Sequence, residues 1–555
     1  MAATSPHDAA HAQWRSDYEA RLAGEPVRVN RSGLPVEPLY GPENWNAERH
    51  PDSLGFPGQW PYTRGIHATM HRGRPWNPRL VVGLGVPQDY NARMRGLYEI
   101  GLTGLFVAPC NSHMRGFDAD MVERELLGNN GTLIATSDDF NACMEGLPID
   151  RESISLGDAA PYTLSAMLME VARRRGVPRA QLAGTTNQSD YLSLHAALAM
   201  WDRLSMPGQR RVLLDHIDWM GQHAPRWNAL SIVGQHMQQA GATPAQAMGL
   251  TLSSAIQHAN DLVGRGRDPD VFLRRFSFFF DVSISFFEEV AKFRAARRLW
   301  ARIARERFGA RDPRAQLFRF HAQTSGVDLT RQQPLNNIAR VAVQAMAGIF
   351  GGLQSLHTDS YDEALGNPIE ATARVAVATQ HILRDEAGLA DVIDPLGGSY
   401  YVESLTDRME EEIGQVIRSV DEQGGMYEAV QNGFVQRMIG ESALEFQRRV
   451  ESGEQVVVGV NAYQRPDDPS ERPPAQERPE AGKIDRYLAG LRAYRERRSQ
   501  ADVDRALDAL ARSFDDPAAN TFGAVVDAIG AGATHGEVVA RVRATVGAGE
   551  PLVIA

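Results

Sequence analysis

The chain has 555 residues, 43% apolar and 23% charged, with a formal net charge of -11. That apolar share excludes a disordered or collagen-like chain, and the acidic balance argues against bulk attraction to nucleic acid or to an anionic membrane. Two cysteines, Cys110 and Cys143, without a CxxC exclude a disulfide framework and a zinc ribbon. With no run of about 18 apolar residues and no signal-peptide start, a cytoplasmic protein is expected.

Residues 1–60 are polar and rich in turn formers (SGLPVEPLYGPE, HPDSLGFPG), and read as an irregular arm on the main body. From about Leu80 short apolar runs alternate with stretches of helical spacing. The runs are 80–85, 103–108, 153–157, 181–186, 229–234, 275–280, 317–322 and 353–357. Eight such runs predict an α/β fold, an eight-stranded parallel β/α barrel over 61–463, with an open doubly wound sheet as the rival. A Pro- and charge-rich linker at 464–483 leads to a small helical C-terminal region at 484–555.

In a barrel, chemistry sits at the C-terminal strand ends. Thr185 and Gln188 follow the fourth run, and Gln235 and His236 the fifth. His321 and Gln323 end the seventh, and His357, Asp359 and Glu363 follow the eighth. Polar residues at four strand ends point to a functional mouth, although each histidine alone reads as a hydrogen-bonded structural one. VVGLGVPQDY has Gln88 where a dinucleotide fingerprint needs its third glycine. GxxxxGK[ST], HExxH and GxSxG are absent, and no metal site is expected. The basic run at 292–314 reads as a solvated helix face with Glu288, Glu289 and Glu306 as partial partners, or as an anion site for phosphates.

Five blocks are distinctive: PYTRGIHATMHRGRPW (61–76), the 274–311 segment beginning RRFSFFFDV, FHAQTSGVDLTRQQPLNN (from 320), GGLQSLHTDSYDEAL (351–365) and VIDPLGGSYYVESLTD (392–407). They closely resemble the methylmalonyl-CoA mutase family, from about residue 40 to about 465. The resemblance implies the same barrel and a radical 1,2-rearrangement of an acyl-CoA, with adenosylcobalamin carrying the radical step. It also implies roles for particular residues. His236 would hydrogen-bond the thioester carbonyl, with Gln188 and Gln323 beside it as the catalytic set. His67, Met70, Arg74, Arg79, Val81, Thr185, Gln235, Arg275 and Ser277 would contact substrate or CoA. Ala108, Gly326, Asp359 and Glu363 would face the cofactor.

Departures from the family pattern carry information. Val81 stands where the methylmalonyl-CoA enzyme has tyrosine, and Gln235 replaces another tyrosine. DYLSLHAALAMW (190–201) lacks the arginine that pairs the free carboxylate of methylmalonyl-CoA. A buried carboxylate without its partner costs several kcal/mol, so a branched or hydroxylated acyl-CoA other than methylmalonyl-CoA is expected. Phe106, Pro109, Cys110, Asp158 and Ala159 also depart, and Phe106 is expected to narrow the channel. The 555 residues contain no DxHxxG, the motif of the cobalamin-binding domain. This resembles the large subunits of split mutases, such as those for isobutyryl-CoA and 2-hydroxyisobutyryl-CoA. A separate small cobalamin-binding subunit and a heterotetramer of two large and two small subunits are therefore expected. The alternative is a divergent barrel that keeps the fold, serving as a binding or partner subunit or acting on an unusual carrier-bound substrate.

Overall fold

The computed structural model describes residues 6–22, 28–46, 54–466 and 479–550. Its centre is one sheet of parallel strands closed on itself. We number the barrel strands β1 (Asn77–Arg79), β2 (Gly104–Val107), β3 (Ser153–Gly157), β4 (Ala183–Asn187), β5 (Trp227–Asn228 continuing as Leu230–Val233), β6 (Phe276–Val282), β7 (Phe320–Thr324) and β8 (Ser355–His357). The two halves of β5 are separated only by Ala229, and they pair with β4 on one side and β6 on the other. β8 pairs with both β7 and β1. The barrel therefore closes with eight strands, as the eight apolar runs predict.

The first strand departs from expectation. β1 lies at Asn77–Arg79, ahead of the predicted run 80–85. Residues 81–85 instead give their backbone groups to the loop after β2. Gly83 O accepts from Gly131 N, and Gly85 N donates to Gly128 O. Gly83 permits this approach, because a Cβ there would stand 2.7 Å from that of Ala108. The arm also differs. A helix forms over Pro6–Leu22, built from good helix formers without an apolar stripe, so periodicity gave no signal. Beyond it, Arg31 donates to Asp328 at 2.9 Å, and the backbone N–H groups of Arg31 and Ser32 reach the Glu288 carboxylate at 3.1 and 3.0 Å.

The α-helical part of the basic run is not a solvated face, whereas Arg305, Arg307, Arg311 and Arg314 beyond it are exposed. In the helix Phe286–Arg302, Lys292, Arg294, Arg297 and Arg298 are all buried. Arg294 pairs with Asp394 and Glu403, while Arg298 pairs with Asp407 and Glu410. Only Glu289, paired with Lys292, comes from the expected local partners. The other carboxylates lie about a hundred residues on, around the helix Tyr400–Glu422.

Most of the linker falls at 467–478, outside the described residues. Beyond it, helices at Ala481–Arg497, Gln500–Ser513, Thr521–Gly530 and His535–Val546 pack on the barrel. Phe522, Val525 and Ile529 join the main apolar core, and the Thr521 hydroxyl donates to Asp215 at 2.7 Å. His535 stacks on His113, in the loop after β2, with ring centroids 3.5 Å apart.

Candidate active site

Strand alternation decides what faces the barrel axis. Most inward positions are small or polar, namely Gly104, Ser153, Ser155, Thr185, Ser277, His321, Gln323 and Ser355, with the rings of Phe106 and Phe279 among them. Barrels of this kind are usually packed inside with branched apolar side chains. Here Ser153, Thr185, Ser277, His321 and Ser355 remain partly accessible although they lie inside the barrel wall. The hydroxyls of Thr185 and Ser277 are 3.5 Å apart, and His321 Nδ1 is 2.8 Å from Ser355 Oγ. Arg79 is buried near the N-terminal end of this axis, where it donates to Ser153 Oγ at 2.7 Å. Burial lowers its pKa to about 10.

At the C-terminal strand ends a cavity of about 370 Å³ opens. Val81, Phe106, Ala108, Gln188, Gln235 and Gln323 line it, together with Leu198, Met200, Phe279, Met114, Asn111 and Arg115. Phe106 is buried in the wall and the cavity stays open beside it. Gln188 sits in the left-handed backbone region at φ 63°, where its N–H donates to the Asn187 side chain at 2.8 Å. A non-glycine residue held there stores strain of the kind found at functional sites.

His236 follows Gln235 but stands outside the cavity wall. It is buried, its Nδ1 lies 3.4 Å from Ser193 Oγ, and burial lowers its pKa to about 4, so the ring is neutral. Arg115 is the wall's only cation among the described residues, and it pairs with Asp202 at 2.9 Å.

A second pocket of about 200 Å³ shares Val81, Ala108, Pro109 and Gln323 with the first. It adds His357, Asp359 and Glu363. His357 Nδ1 accepts from the Val81 N–H at 3.1 Å, which leaves Nε2 to donate to Asp359 Oδ1 at 2.8 Å. Burial lowers the histidine to about 4 and raises Asp359 to about 8. Glu363 is also raised to about 8, by burial and then by the charge of Asp359. Asp359 Oδ2 is buried without a partner among the described residues, and Gly326 lies beside both carboxyls.

The opposite, N-terminal rim is cationic. Arg226, Arg275 and Arg319 immediately precede β5, β6 and β7, and Arg274 and Arg314 lie close by. Burial lowers Arg319 to about 10, helped by the like charges of Arg275, Arg314 and Arg274. His67 is pushed down by burial and then by Arg319 and Arg74. Met70 turns instead into a small apolar cluster with Tyr62, Ile66 and Leu317. Asp312 pairs with Arg314 at 2.8 Å and lies 3.8 Å from Arg274, while Arg275 and Arg319 have no carboxylate partner among the described residues and are free to pair with an anion.

Residues 29–548 match the family profile described as methylmalonyl-CoA mutase. The chain belongs to the methylmalonyl-CoA mutase family. Among its relatives, the 2-hydroxyisobutanoyl-CoA mutase large subunit of Aquincola tertiaricarbonis is 35% identical over 95% of both chains. The methylmalonyl-CoA mutase of Cereibacter sphaeroides is 38% identical over 95% of this chain and 74% of its own length. The human mitochondrial methylmalonyl-CoA mutase is 34% identical, over 95% of this chain and 70% of its own. The family's enzymes are adenosylcobalamin-dependent isomerases. Among the described residues no helix is long and apolar enough to cross a membrane.

The structure gathers Val81, Gln188, Gln235, Gln323 and Ala108 around one cavity and Asp359 and Glu363 around its neighbour. Thr185 and Ser277 lie lower on the axis, and Arg74 and Arg275 at the far rim. Sequence reasoning missed Phe279, Leu198, Met200 and Arg115 on the wall. Leu198 and Met200 belong to the stretch 190–201 that lacks the expected arginine, and that was their available signal.

Proposed function

We propose that this chain is the large subunit of an adenosylcobalamin-dependent mutase acting on a branched or hydroxylated acyl-CoA other than methylmalonyl-CoA. One observation carries this reading. The cavity wall is apolar apart from neutral amides, and its one cation is already paired with Asp202. A free carboxylate buried against that wall would find no buried cation there among the described residues, since Arg115 and Asp202 are both about half exposed.

The chain's residues divide the work along the barrel axis. The cationic rim, with Arg74 and Arg275, binds the phosphates of CoA. The hydroxyls of Ser153, Thr185 and Ser277 offer hydrogen bonds to the amides of the pantetheine arm. Gln188, Gln323 and the neutral imidazole of His236 hold the thioester end. The apolar walls exclude water from the reacting carbons. His236 must move from Ser193 toward the cavity, or the acyl group must reach past Gln235.

The second pocket fits the sugar end of an adenosyl group. Its carboxyls, one with an orphaned oxygen, suit ribose hydroxyls, and Gly326 and Ala108 leave room. When bound, adenosylcobalamin supplies the carbon radical that starts the rearrangement. A separate cobalamin-binding chain, in a two-plus-two heterotetramer, completes the enzyme; the end-to-end likeness to a relative named as a large subunit supports this. A cytoplasmic location belongs to the same proposal, supported by two unpaired, buried cysteines.

The test mixes the chain with a cobalamin-binding small subunit, adenosylcobalamin and a panel of acyl-CoA esters. Rearranged product from a non-dicarboxylic ester, with none from methylmalonyl-CoA, is the expected result. Preferred turnover of methylmalonyl-CoA would overturn the substrate reading. Absence of CoA-ester binding by calorimetry would favour the divergent-barrel alternative.

A further inference from the structure

One polar group on the cavity wall has its hydrogen-bonding sense set from outside the cavity. Gln235 Nε2 donates to Gln239 Oε1 at 2.7 Å, and Gln239 Nε2 donates to Asp281 Oδ1 at 3.0 Å. Asp281 is fully buried near the C-terminal end of β6. Burial pushes its pKa well up, and the Ser325 hydroxyl neighbours its carboxyl. Its Oδ2 is free of the Gln239 contact, so a proton held there leaves Oδ1 an acceptor in either ionisation state.

A primary amide has one accepting end and one donating end. With Oδ1 accepting, Gln239 turns its NH2 toward Asp281 and its carbonyl toward Gln235. Gln235 must then turn its own NH2 toward Gln239. What remains is Gln235 Oε1, buried and without a partner among the described residues. A buried acceptor left unpaired is costly, and a donor on a bound ligand removes that cost.

We propose that Gln235 is a specificity-determining residue that selects an acyl group bearing a hydroxyl, with Gln239 and Asp281 as the positioning residues that fix its amide. This rests on the acyl-CoA reading above and narrows it. The other chemistries fit less well. A carboxylate would set acceptor against acceptor. An ammonium would meet Arg115 on a wall that has no carboxylate among the described residues. A purely aliphatic group leaves the Gln235 carbonyl unpaired.

Isosteric ester pairs test this by calorimetry on the full chain. 2-Hydroxyisobutyryl-CoA is compared with pivaloyl-CoA, and 3-hydroxybutyryl-CoA with isovaleryl-CoA; in each pair a methyl replaces the hydroxyl. In at least one pair the hydroxy ester is expected to bind about tenfold more tightly or better. In Gln235→Met that ratio falls to about one while the methyl ester keeps its affinity. In Gln239→Leu the amide is free to turn, and the ratio falls although Gln235 is intact. A merely structural role would move both esters of a pair together. Equal binding within both pairs overturns this inference and leaves the acyl-CoA reading standing. Failure of all four esters to bind overturns that reading itself.

Discussion

Asp359 and Glu363 are carboxyls held largely in their acid form at neutral pH, since both are raised to about 8. Burial dominates for each, and the charge of Asp359 adds to the shift of Glu363. A folded pKa above the unfolded value near 4 gives stability that is complete below about pH 4 and lost as pH rises through about 8. The infrared spectrum is therefore expected to show protonated carboxyl absorption at pH 6.5, of which the share from these two groups disappears with a midpoint near pH 8, beside that of Asp281, whose pKa burial also raises. In Asp359→Asn part of the band is lost, and the Glu363 share titrates lower because Glu363 no longer faces a neighbouring charge. A band absent at pH 6.5 would contradict the burial argument. At this scale the strand-end polar residues were legible, because the position of each follows from an apolar run that can be counted. Phe279 was not, since within RFSFFF nothing distinguishes a ring facing the axis from one facing the helices. Gln239 was not either, because its link to Asp281 needs the register between a helix and a strand.

The helix Phe286–Arg302 shows where one-dimensional reading of charge stops. Its cations look like a solvated stripe because their partners, Asp394, Glu403, Asp407 and Glu410, are distant in sequence. Arg294 has no accessible side-chain surface, and its two carboxylate partners are buried with it. Removing one member of such a cluster leaves charge uncompensated, at a cost of about 3–5 kcal/mol. Arg307 pairs with Asp421 at 3.0 Å, but both side chains are about two-fifths exposed, at 39% and 41%. An exposed pair of that kind contributes about 0–1 kcal/mol. Urea titration of Arg294→Met is expected to show the large loss and Arg307→Met almost none. Similar midpoints for the two variants would mean that the buried cluster contributes no more than a surface pair. The barrel itself was legible because apolar runs recur eight times. The misplacement of β1 arose because LVVGLG is as apolar as a strand but gives its hydrogen bonds to the glycine-rich loop at 128–133.

Across the whole molecule, buried histidines set the response to acid. His71, His195, His236 and His357 are lowered to about 4, and His113 and His216 to about 3, burial being the first cause in every case. Histidine in the unfolded chain titrates near 6.5. The folded state therefore keeps its full stability above about pH 6.5, and loses it as pH falls toward 4 because only the unfolded chain takes up these protons. Raised carboxyls oppose this. Asp118 and Asp158, at about 6, and Asp359 and Glu363, at about 8, bind protons in the folded state that the unfolded chain releases. The histidines outnumber them, which leaves a net slope of roughly 1–3 kcal/mol per pH unit between pH 6.5 and 5. The urea midpoint is accordingly expected to fall over that range. His216 isolates one contribution. Its ring stacks on Tyr162 and meets Phe522 of the C-terminal helices edge-on, with both centroids 4.4 Å away. Its Nδ1 has no hydrogen-bond partner among the described residues. His216→Phe keeps the aromatic packing and removes the titration, so its slope should be shallower by about 1.4 kcal/mol per pH unit. An unchanged slope would mean that this imidazole reaches protons in the folded state, and that the C-terminal helices do not seal it against the barrel.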